Sequence, residues 1–142
     1  MSDDEKKWLK FNYAWKWFEY HASQRLIAFR FYLIIIGAAG WLFLRGDTSL
    51  VYPHNLLFGL ALFIVSLFFF LLEVRNNRLV NCGRQALDKL EEEAGFLGTP
   101  YAIRHNDEKS KRFCVSHYFV IRTIYIIVGI IGFILIGMGF CR

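Results

Sequence analysis

Residues 56–72 read LLFGLALFIVSLFFFLL, a run of seventeen residues without a charge that closes at Glu73. A domain of 142 residues keeps much of its chain at the surface and has no interior large enough to hide such a block. A bilayer does, since about 20 apolar residues in a helix cross its hydrocarbon core. The run therefore predicts a membrane span, set at residues 55–73.

Two further runs flank it. Residues 31–44, FYLIIIGAAGWLFL, lie uncharged between Arg30 and Arg45. Fourteen residues rise only about 21 Å, short of a core of about 30 Å. Residues 26–29 extend the run, and Arg30 snorkels toward the headgroups. The first span is thus placed at 26–45. Its Gly37 and Gly40 frame a smooth patch where another helix can come close. From Thr123 to Cys141 there is again no charge, and the third span is placed at 118–140, with Arg122 in its first turn. Gly129 and Gly132 smooth one side of it and are expected to pack against a helix.

The remaining segments differ in kind. In residues 6–25, Phe11, Trp15, Phe18 and Ala22 recur at helical spacing. Three of the four tryptophans fall in residues 8–17, interleaved with lysines. Trp, Tyr and Lys together mark a helix at a membrane interface or packed on the cytosolic part. Residues 45–55, with Gly46, Asp47 and Pro53, are a turn-rich connector. In residues 74–97, Leu79, Ala86, Leu90, Ala94 and Leu97 share one face of a helical wheel, which predicts an amphipathic cytosolic helix. Gly95, Gly98 and Pro100 stop it, and a polar loop follows. The fold class is all-α, a single membrane domain over residues 1–142 with three spans, an N-terminal amphipathic helix and a cytosolic helix between spans two and three.

Charge sets the orientation. Residues 1–30 carry six Lys and Arg, residues 73–122 carry nine, and the connector carries one. Cytoplasmic segments collect such residues, so the N-terminus and the central region are assigned to the cytoplasmic side of the membrane. The acidic start Met1-Ser2-Asp3-Asp4-Glu5 is unlike a signal peptide. The net charge of +5 is then first a matter of topology.

Little in the chain suggests catalysis. The phosphate-loop, zinc-protease, nucleophile-elbow and dinucleotide motifs are missing. His21, His54, His105 and His117 have no second ligand one turn away, and Cys82, Cys114 and Cys141 form neither a CxxC pair nor a disulfide framework. No catalytic residue, metal ligand or cofactor is assigned. Two sites of another kind are. Glu73 and Arg75, at the membrane face of span two, are a candidate gating hinge joining it to the cytosolic helix. Arg75, Arg78 and Lys89 share a border of that helix and are candidate ligands for an anion. The cytosolic part is too small to bury a core alone, and with the glycine-lined spans this predicts a homo-oligomer.

Several stretches have a familiar order: WFEYHASQR at 17–25, FLLEVRNNRL at 70–79, GRQALDKLE at 83–91 and SHYFVIR at 116–122. The chain resembles small bacterial membrane proteins encoded beside nucleotidyltransferase-like partners in anti-phage operons, and among them the Hailong-type effectors. The resemblance implies an oligomer held closed by a soluble nucleotide or oligonucleotide and opened on infection as an ion channel or membrane-disrupting effector. The expected partners are further copies of the chain, membrane lipid, the nucleotide ligand and a nucleotidyltransferase-like protein. Internal charge is missing from the spans, so the pore wall would be apolar and gate by dewetting. A non-conducting anchor that recruits a cytosolic partner through its amphipathic helix is the alternative.

Overall fold

A computed structural model describes residues 2–45, 54–96, 99 and 117–140. The connector at 46–53, Leu97, Gly98, Pro100, the polar loop at 101–116, Cys114 and Cys141 lie outside the described residues.

Every regular element among the described residues is a helix: α1 (Asp3–Arg45), α2 (His54–Glu93) and α3 (His117–Phe140). Each contains a stretch long and apolar enough to cross a membrane. The helix α1 takes in both the 6–25 segment and the first span, with no break between them. It starts at a reciprocal cap, in which the Glu5 backbone N–H donates to Ser2 Oγ and the Ser2 N–H donates to Glu5 Oε2. Asp3, Asp4 and Glu5 add negative charge at the positive end of the helix dipole.

The helix α2 carries the second span and the 74–93 segment. It ends at Glu93, short of residue 97. Gly95 takes a left-handed conformation with φ 74°. Its N–H then donates to the Glu92 carbonyl, and the Phe96 N–H donates to that of Glu91. These bonds satisfy carbonyls that a continuing helix would have used, and they stop it.

The chain forms two compact units. One comprises Met1–Gln24 with Arg75–Ser116, the other Arg25–Val74 with His117–Arg142. In the first, Ala14 and Val80 are buried, and Gly83 meets Trp17 and Phe18. A Cβ on Gly83 would lie 3.1 Å from that of Phe18. This close approach lets Trp17 Nε1 donate to the Leu79 carbonyl at 3.1 Å. Of the expected face of residues 74–93, Leu79 and Leu90 are half-buried. Val80 and Gly83 are covered, whereas Ala86 and Ala94 are exposed.

In the second unit the core is Tyr32, Ile121 and Tyr125, with Phe29, Ile36, Val65, Phe69 and Phe70 packed around it. Tyr32 meets Tyr125 edge-to-face at 4.6 Å between ring centres, a geometry aromatic pairs prefer. Helices α2 and α3 approach each other closely at Gly59 and Gly132. A Cβ on Gly132 would stand 2.8 Å from the Gly59 carbonyl oxygen and the Phe63 nitrogen. Backbone contact of this kind is open only to glycine. Gly129 sits more loosely over Ser66, and Gly37 and Gly40 face open space. Much of the apolar surface of the three helices is uncovered. Ile34, Leu42, Leu44, Phe68, Phe119 and Phe133 are all more than half exposed.

Candidate functional site at the charged end of the apolar helices

The second unit gathers charge at one end. Arg25 opens the apolar part of α1, Glu73 closes that of α2, and Tyr118 and Arg122 occupy the first turns of α3. Arg25 Nη2 lies 2.5 Å from Glu73 Oε1, with the two side chains 11% and 2% exposed. This is a charge contact without the alignment of a hydrogen bond, and Arg25 Nε is buried with no acceptor. The Arg122 guanidinium lies 3.8 Å from the centre of the Tyr118 ring and 5.6 Å from that of Phe70. Arg25 faces the same Tyr118 ring at 5.8 Å. Each such contact is worth about 0.5–2 kcal/mol, depending on how dry it is. Two guanidiniums thus share one carboxylate, and Arg122 Nε is also buried without an acceptor. The cluster carries one excess positive charge.

Deeper in the unit, the Tyr32 and Ser66 hydroxyls are 3.0 Å apart, and both residues are buried. Each hydroxyl satisfies the other, so the polar pair is tolerated where water is scarce. An apolar groove of about 340 Å³ runs between α2 and α3, walled by Phe63, Leu67, Phe70, Ile126, Ile130 and Phe133.

The expected anion ligands belong to the other unit. Arg75, Arg78 and Lys89 are all exposed on α2. Arg75 and Arg78 are one turn apart, but Lys89 stands about 16 Å farther along the axis than Arg78. The three do not converge on one phosphate; only an extended polyanion could reach all of them. Glu73 and Arg75, two residues apart, lie on different sides of α2. The carboxylate is buried and the arginine is in the open. The division between the two units falls just after Val74, between these two residues. A separate groove of about 270 Å³ in the first unit is lined by Lys7, Trp8, Phe11, Leu90, Ala94 and Phe96.

Sequence reasoning singled out Glu73 but not its partner. Arg25 sits one residue before the first span as placed at 26–45, and Arg122 one residue before the uncharged stretch that begins at Thr123. Antiparallel apolar helices with these flanks bring all three to one end, and that was the available signal. Among the described residues no group of three or more His, Cys, Asp or Glu side chains could hold a metal ion. The chain matches no protein family, curated protein or solved structure with which it was compared.

Proposed function

We propose that the protein is a homo-oligomeric effector of the bacterial inner membrane with a cytoplasmic N-terminus. It acts as an ion channel or membrane-disrupting protein in anti-phage defence, held closed by a soluble nucleotide or oligonucleotide. The observation that carries the membrane and oligomer parts is the poor self-coverage of the apolar helices. In the most apolar stretch of α1 only 6% is buried, and in those of α2 and α3 22% and 17%. Lipid or further copies must cover the rest. The interior of one copy is filled by Tyr32, Phe69 and Tyr125 around the Tyr32–Ser66 bond. A conducting path would therefore run between copies. The defence role rests on the resemblance in sequence, and the 74–93 segment of α2 is the receiving element for the signal.

The test is ion flux. The purified chain is reconstituted into liposomes loaded with a potassium gradient, and a potential-sensitive dye reports leakage. Leakage that rises with protein content supports the channel. Tight liposomes containing correctly inserted oligomer refute it. The groove walled by Trp8, Phe11 and Leu90 favours a second reading, an anchor that seats a partner's apolar side chain. That reading predicts no flux.

A further inference from the structure

We propose that Arg122 binds the phosphate of an anionic phospholipid whose acyl chain lies in the groove between α2 and α3. Arg122 lies four positions after Tyr118, where the candidate span of α3 begins. That is about 6 Å of helix rise, the depth of headgroups rather than of the hydrocarbon centre. The Arg122 Nε is buried and has no acceptor. Among the described residues no carboxylate pairs with Arg122, because Glu73 is taken by Arg25. A buried donor left unsatisfied is costly. Phosphate oxygens match the guanidinium fork and remove the excess charge of the cluster.

The groove supplies the second half of the argument. Phe70 lies beneath the Arg122 guanidinium and is also a wall of the groove. Ile126, one turn below Arg122 on the same face of α3, is another wall. The charge therefore stands at the mouth of an apolar channel. Gly129 keeps the floor open: a Cβ there would meet only Ser66, at 3.6 Å. A ligand with an anionic head and an apolar tail fits both parts at once. A helix from a second copy fits only the groove. Apart from Glu73, none of the acidic side chains of the described residues belongs to the unit that contains Arg122.

The experiment uses the full chain, purified in neutral detergent and studied by native mass spectrometry. Phosphatidylglycerol and phosphatidylcholine with identical chains are titrated separately, each with and without inorganic phosphate. The expected result is retention of phosphatidylglycerol, weak retention of phosphatidylcholine and no displacement by inorganic phosphate. Arg122→Leu should weaken phosphatidylglycerol retention about tenfold. Ile130→Trp, which fills the groove from an exposed position, should do the same without disturbing the core. Arg30→Leu, at an exposed arginine elsewhere on α1, should leave retention unchanged. Equal retention of the two lipids overturns the proposal, as does full retention by both Arg122→Leu and Ile130→Trp. Displacement by inorganic phosphate would make this a free-anion site and overturn the lipid assignment.

Discussion

Glu73 is held by Arg25, from another helix, and not by Arg75 two residues along its own chain. The pair is nearly dry, and a buried charge that loses its partner costs far more than the intact pair contributes. Replacing both partners by apolar residues is often close to neutral.

The first prediction follows from this asymmetry. Arg25→Leu should destabilise the protein by about 3 kcal/mol or more, because it strands the Glu73 carboxylate. Arg25→Leu with Glu73→Leu should recover most of the loss. Unfolding in mixed micelles, monitored by circular dichroism, gives the double-mutant cycle. Simple additivity of the two single changes would mean that the pair has no energetic coupling.

The glycines divide into two classes with opposite expectations. At Gly132 even an alanine Cβ would fall 2.8 Å from backbone atoms of α2, which cannot rotate away as a side chain can. Gly132→Ala should therefore lower stability by about 1–3 kcal/mol, and Gly132→Leu by more. A Cβ added at Gly37 or Gly40 meets nothing within 4 Å in the same copy, so Gly37→Leu and Gly40→Leu have room to start from. They should leave the single copy intact and, where oligomers form across this patch, reduce particle size in detergent. Light scattering after size-exclusion chromatography reads both. An unchanged oligomer in the Gly37→Leu, Gly40→Leu variant would turn that patch toward lipid.

Topology has its own test. Cys82 is exposed on α2, and the Lys and Arg distribution assigns it to the cytoplasm. With Cys114 and Cys141 replaced by serine, an impermeant thiol reagent should spare Cys82 in intact cells and label it after permeabilisation. Labelling before permeabilisation would overturn the assigned orientation.

The apolar runs of residues 31–44, 56–72 and 123–140 announced three helices long and apolar enough to cross a membrane, because hydrocarbon length is a local property of sequence. The cap at the start of α1 is equally local, with Ser2 and Glu5 three residues apart, but it went unread and the helix was expected only from residue 6. The charged cluster was only half visible. Glu73 stood out against its apolar run, but the identity of its partner depends on which helices are neighbours, and hydropathy does not encode that. One contact of the 74–93 segment was passed over for a related reason. A helical wheel ranks side chains by polarity, whereas contact there is decided by Gly83, which has no side chain to rank and lets Trp17 and Phe18 come close. The Gly59–Gly132 approach was similarly half foreseen. Gly132 was marked as smooth, while Gly59 in the middle of the second span went unremarked.

The last prediction concerns gating by a soluble signal. A ligand that keeps a channel shut must bind the closed state more tightly than the open one. Arg75 and Arg78 together with Lys89 span about 20 Å of helix, the reach of an oligonucleotide rather than of a mononucleotide. Arg78→Glu with Lys89→Glu leaves both positions exposed and reverses the charge that a polyanion would meet. That variant should lose the closing signal, depolarise cells on induction and arrest growth without phage, whereas either single reversal should act more weakly. In liposomes, a short oligonucleotide should suppress wild-type leakage and leave that of the double variant unchanged, and a mononucleotide should suppress neither. If the double variant is inserted and harmless to cells, and its liposomes are as tight as those of wild type, these residues only set topology. The closing signal then acts elsewhere, or the protein is the anchor of the second reading.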